Sequence, residues 1–162
     1  MNLIFILQHL EIKRQNFHDE LGIIIFKPQF VDVEIEQFRK YCELNKITIL
    51  KEKTDTLSKE AIIALYKNIF SYSNNDLEFG VNWKAETINY LNSGPSVCIL
   101  VTGSGVNRKL SNYKYELRSR YGKITNPKTT LSDEDFKNKV IKNMVHVIDD
   151  EELQNGLWIL FC

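Results

Sequence analysis

Gly22-Ile23-Ile24-Ile25-Phe26-Lys27-Pro28 is a run of apolar, mostly β-branched residues closed by a lysine and a proline. Apolar side chains on both faces of a strand mean that both faces are covered, so the run reads as a buried central strand. Working outward, Val31 to Leu44 places Val31, Ile35, Phe38 and Cys42 at helical spacing. Ile47 to Leu50 gives a second strand. Ser58 is suited to N-cap a helix with Ile62, Leu65, Tyr66 and Ile69 on one face. Thr87 to Leu91 gives a short helix, Asn92-Ser93-Gly94-Pro95 a turn, and Ser96 to Val101 a third strand. Asn107 to Tyr121 reads as a polar, basic helix, and Gly122 to Leu131 as a loop containing Pro127. Ser132-Asp133-Glu134-Asp135 caps one more helical turn, Met144 to Ile148 is a fourth strand, and Leu157 to Phe161 is an apolar tail. Strands alternating with helices predict an α/β sandwich with helices over at least one sheet face.

The 162 residues suit one compact domain. Lysine plus arginine (21) equal aspartate plus glutamate (21), which argues against a general nucleic-acid binder, because affinity for a phosphate backbone comes from clustered positive charge. A local exception is Arg108 to Lys128, rich in bases and holding one acid, Glu116. Such a run is usually a solvated helix face, and it also suits a small anionic ligand. Cys42, Cys98 and Cys162 are too few and too scattered for a metal motif or a disulfide framework, and fit a reducing cytoplasm. Cys98, inside an apolar run, reads as a small buried hydrophobe. The N-terminal run Leu3-Ile4-Phe5-Ile6-Leu7 is too short to span a membrane and lacks the flanks of a signal peptide. Residues 1–20 read as an extension used for packing or self-association, and 21–162 as the domain proper.

Lys142-Asn143-Met144-Val145-His146-Val147-Ile148-Asp149 sets an imidazole inside an apolar strand. By itself this is more often a core histidine with one satisfied hydrogen bond than a reactive one. The surrounding motifs change the balance. A strand ends in Lys27-Pro28; Tyr90-Leu91-Asn92-Ser93-Gly94-Pro95-Ser96-Val97 leads into the third strand; Gly122 is followed by Thr125-Asn126-Pro127; and Asn143 precedes His146 and Asp149. In this order and at these separations, the chain from about Leu21 to its C-terminus resembles the nucleoside diphosphate kinase family. The third motif carries one residue more than the family's.

The resemblance implies an α+β fold: a ferredoxin-like α/β sandwich, with a four-stranded antiparallel sheet covered by helices on one face. It also implies phosphoryl transfer from a nucleoside triphosphate to a nucleoside diphosphate through a phosphohistidine, a form of covalent catalysis. By position, His146 matches the nucleophile and Lys27 the lysine that contacts the transferred phosphate. Tyr66 matches a tyrosine near the histidine, and a core role on its helix face is an equal alternative. Arg118 and Thr125 match phosphate-binding residues, Asn143 a residue that binds the sugar hydroxyl, and Trp83 an aromatic stacked on the base. Magnesium is expected to arrive on the nucleotide phosphates rather than in a protein cage. The implied partners are nucleoside di- and triphosphates, with no membrane and no general nucleic acid. Family members are typically hexamers or tetramers built from dimers; a homo-oligomer is therefore an expectation that nothing in this sequence decides.

The chain also departs from the family. Asp133 stands where a second phosphate-binding arginine is expected, and like charge there disfavours a triphosphate by about 1 kcal/mol or more. Val147-Ile148 replace Gly-Ser after the histidine, and Gln154 replaces a glutamate that orients the imidazole. The segment between His146 and Gln154 is short, and Tyr72 to Phe79 looks like an insertion. Three readings fit: a divergent working kinase, a nucleotide-binding or interaction module without turnover, or a relative that uses the site for another nucleotide-like substrate.

Overall fold

The computed structural model describes residues 19–71, 82–125 and 131–162. The strands are β1 (Asp19–Phe26), β2 (Thr48–Asp55), β3 (Ser96–Ser104) and β4 (Val145–Val147). The helices are α1 (Val31–Leu44), α2 (Lys59–Leu65), α3 (Lys67–Ser71), α4 (Trp83–Leu91), α5 (Val106–Arg120), α6 (Asp133–Asp135) and α7 (Leu153–Phe161). The sheet order is β2-β3-β1-β4, antiparallel throughout, and β1 is central as the apolar run predicts.

Alternation along β1 splits the core in two. Ile24 and Phe26 pack with Phe38 of α1 and with Leu110 and Leu117 of α5. Ile23 and Ile25 pack with Ile62 and Leu65 of α2 and with Leu160 of α7. Helices therefore cover both faces of the sheet, which corrects the expectation of helices on one face alone. The four residues Ile23 to Phe26 are each at most 1% exposed. At roughly 1.5–3 kcal/mol per fully buried large apolar side chain, they form a rigid base for the lysine that follows them.

Several boundaries move for local reasons. The apolar tail is a helix, α7, laid on the sheet at Gly156; a Cβ there would stand 3.3 Å from Ile148 Cγ2, so only glycine permits this approach without displacement. The helix read from Thr87 begins at Trp83, because Asn82 Oδ1 accepts the Ala85 N–H at 3.1 Å. The turn capped by Ser132 runs on as a π-helical segment, Phe136–Ile141, closed by Lys142 N–H donating to Lys137 O at 2.9 Å. The strand boundary lies at Asp19, inside the segment read as an extension; residues 1–18 and the Tyr72 to Phe79 stretch lie outside the described residues.

Ser58 caps α2 as read, its Oγ accepting the Ala61 N–H at 3.1 Å. Ser58→Ala is expected to lower stability by about 1 kcal/mol, seen as a lower urea midpoint at unchanged slope. An unmoved midpoint would show that the cap contributes nothing. Among the described residues no helix is long and apolar enough to cross a membrane.

Candidate functional site

His146 pairs with Ile25 across β1 and β4, so its side chain shares the sheet face of Ile23 and Ile25. Lys27 continues the same alternation one step past the end of β1. Tyr66, at the C-cap of α2, lays its ring on the imidazole with centroids 4.5 Å apart and planes 27° apart. The row of rings continues through Phe70 of α3, 5.6 Å from Tyr66, to Trp83 at the start of α4, edge-on to Phe70 at 5.6 Å. The structure thus brings Tyr66 directly to His146 and places Trp83 at the far end of the row.

The turn into β4 organises the cations. Lys27 is 3% exposed, and its Nζ donates to Asn143 Oδ1 at 2.7 Å and to Ile141 O at 3.0 Å. Met144 sits between Asn143 and β4 with φ of 75°, an uncommon backbone conformation for a bulky residue. It is held there by Lys27 N–H donating to Met144 O at 2.8 Å and by Val145 N–H donating to Asn143 O at 3.0 Å. Arg118 reaches from α5 around the free edge of β4. Its Nη2 donates to Val145 O at 2.6 Å, its Nε to Asn143 O at 3.2 Å and its Nη1 to Thr125 Oγ1 at 3.0 Å. Six of the seven residues singled out from the sequence are therefore joined: His146, Lys27, Tyr66, Arg118, Thr125 and Asn143. Asn126 and Pro127, which complete the motif around Thr125, lie outside the described residues.

The electrostatics are one-sided. Every ion pair among the described residues lies on the surface, and none includes Lys27 or Arg118. Burial, then the Arg118 charge, holds the Lys27 ammonium well below its ordinary pKa. Burial lowers Arg118 to about 10. His146 is held well below 6.5, first by burial and then by Lys27, Arg118 and Lys114. Its imidazole is therefore neutral near pH 7. His146 Nε2 and Tyr66 Oη are both buried without a hydrogen-bond partner. Two buried basic groups without a carboxylate, beside two unsatisfied polar atoms, make a setting that suits an anion. Lys114 was not singled out from the sequence; the available signal was its spacing of four from Arg118, which sets both on one side of α5.

No protein-family model and no curated protein sequence matches the chain. Solved structures do. One is a halophilic nucleoside diphosphate kinase from Halobacterium salinarum in complex with CDP, with a TM-score of 0.60 at 17% identity over 89% of this chain and 88% of that one. Another is an NDP kinase from Pyrobaculum aerophilum, also at 0.60 and 17%, over 89% of this chain and 96% of that one. The chain has a nucleoside diphosphate kinase-like fold. On this nucleoside diphosphate kinase-like framework the departures read from the sequence gain a physical form. Gln154 is exposed on α7 and makes no bond to Nε2, so it does not orient the imidazole. Ile148 is 1% exposed and packs under α7, where it serves the core rather than a polar network. Asp133 is exposed at the start of α6. Trp83 is half-buried against Tyr90, Phe136, Val140 and Ile141. Cys98 is buried, and its thiol is pushed up to about 12, which fits an inert core residue.

Proposed function

We propose that this protein binds the phosphate chain of a nucleoside di- or triphosphate, and that His146 accepts the terminal phosphoryl group of the triphosphate. The observation that carries the reading is the uncompensated positive charge of buried Lys27 and Arg118 around a neutral, incompletely hydrogen-bonded imidazole. A neutral ring nitrogen offers a lone pair at phosphorus. The bond between phosphorus and the bridging oxygen breaks as the nitrogen–phosphorus bond forms, and the nucleoside diphosphate leaves with the bridging oxygen. A second diphosphate then takes the phosphoryl group by the reverse displacement. Positioning and charge neutralisation supply most of the catalysis in such transfers.

In this reading Lys27 neutralises the transferred phosphoryl, while Arg118 and Thr125 hold the phosphates beyond it. Tyr66 fixes the ring plane and directs its free hydroxyl to the same group. Asn143 positions Lys27 and faces the sugar, and Trp83 stacks on the base. Magnesium enters as the ion that the triphosphate carries. The groups gathered around His146 are cationic or neutral, so they do not form a metal cage of their own.

Incubation with γ-labelled ATP and magnesium is expected to leave an acid-labile label on the protein. A protein that neither takes label nor binds nucleotide by calorimetry overturns the reading. Binding without label supports a second reading, a nucleotide-binding module without turnover, which the exposed Gln154 favours. Trp83→Ala is expected to weaken ADP by about 1–3 kcal/mol while leaving tripolyphosphate unaffected, because only the former has a base to stack. Equal losses for the two ligands would remove Trp83 from the base site.

A further inference from the structure

The third cation near the imidazole has no assigned role. Helix α5 runs beside β4 in the opposite sense. At one end the Asn107 side-chain amide donates to the Asp150 carboxylate. At the other Arg118 binds Val145 O and Asn143 O. Lys114 follows Asn107 by seven residues, about 10 Å along the helix, and a strand covers that length in about three residues. Counting back from Asp150 sets Lys114 level with His146 and Val147, on the side of α5 that also presents Arg118. Burial, then the Arg118 charge, lowers the pKa of Lys114 against a smaller opposing effect of Asp149, and the Lys114 charge in turn helps to lower that of His146.

Lys114 differs from the other two cations in what it has left to give. Two of the three Lys27 donors are committed to Ile141 O and Asn143 Oδ1, and three of the five Arg118 donors to Asn143 O, Val145 O and Thr125 Oγ1. The Lys114 ammonium lies 4.9 Å from the ring of its neighbour Tyr115, and among the described residues it makes no hydrogen bond or ion pair. A half-buried ammonium beside the Arg118 guanidinium is repelled by it, an effect that the Asp149 charge offsets only in part, and an anion shared between the two cations removes that repulsion. Asp133, where a base was expected, is an exposed acid and supplies no positive charge.

We propose that Lys114 is a ligand-contacting cation of this site, gripping the phosphate chain of a nucleoside di- or triphosphate beyond the phosphoryl group at His146. The inference rests on the phosphate-site reading above and adds a residue that sets preference for a chain of phosphates over a single one. It is tested by calorimetry with magnesium–ADP and with inorganic phosphate on the full-length protein and on Lys114→Met and Lys114→Arg. Lys114→Met is expected to weaken ADP about tenfold and inorganic phosphate little, with Lys114→Arg close to wild type. In the ligand-free protein, the His146 ring resonances of Lys114→Met are expected to titrate at higher pH than in wild type. Unchanged ADP affinity in a folded Lys114→Met protein overturns the inference and leaves the phosphate site standing. Failure of the wild type to bind ADP, ATP or inorganic phosphate overturns both. Should Lys114→Met fail to fold, Lys114→Gln takes its place, and an unmoved His146 titration in that variant counts against the inference.

Discussion

His146→Ala protein is expected to take no acid-labile label from γ-labelled ATP and magnesium, yet to go on binding ADP. The two halves of this result have separate causes. The label needs a ring nitrogen, and an alanine has none. Binding draws mainly on Lys27 and Arg118, whose partners Ile141 O, Asn143, Val145 O and Thr125 do not include the imidazole. Removing a neutral ring also removes a share of the wall, since Tyr66 stacks on it at 4.5 Å. A stability loss of about 1–3 kcal/mol is therefore expected for the alanine variant, less for His146→Gln, which keeps more of the volume. Labelling is measured with the fold verified by circular dichroism. Label that persists in both variants assigns the acceptor to another residue, and acid-stable label points to a hydroxyl rather than an imidazole.

The parts of this protein that were legible in its sequence are those fixed by local chemistry. β1 announced itself through an apolar run, α2 through the Ser58 cap, and the phosphate-site candidates through motifs at strand ends. Less legible were features decided by tertiary contact. α7 looked like a tail because its apolar residues lack a cap signal, and its helix is stabilised by packing over Gly156 and Ile148. Arg118 looked like one base among many on a solvated helix. What buries it is the unpaired edge of β4, a four-stranded-sheet property that no spacing on α5 reveals. The second cluster behind the sheet likewise depends on α2 and α7 meeting over β1. The erosion around the histidine was visible as Val147, Ile148 and Gln154, but only the fold shows its consequence, an imidazole nitrogen left without a partner.

Stability of the ligand-free protein is expected to rise with pH, from about pH 5 to about pH 9, in two parts. Both sensitive groups are bases with lowered folded-state pKa, so the native state binds fewer protons than the unfolded chain in the window between the folded and the unfolded value. Stability then rises with pH at up to about 1.4 kcal/mol per unit for each such group. His146 acts below its unfolded value of 6.5, where acidification charges the unfolded imidazole and not the buried one. Lys27 acts below 10.5, so its penalty is already present at neutral pH and is relieved as the medium turns alkaline. Tyr66, Tyr90 and Tyr113 carry raised pKa values from burial, and above about pH 10 they reverse the trend, because the unfolded phenols ionise first. Urea midpoints across this range separate the parts. Lys27→Met is expected to flatten the limb between about pH 7 and 9, and His146→Gln to lessen the limb between about pH 5 and 6.5. Saturating magnesium–ADP is expected to flatten the alkaline limb of the wild type, since a bound anion raises the lowered Lys27 pKa back toward its unfolded value. A wild-type limb between about pH 7 and 9 as flat as that of Lys27→Met would mean that Lys27 carries no penalty for burial. The positive charge that the phosphate-site reading relies on would then be solvated rather than waiting for an anion.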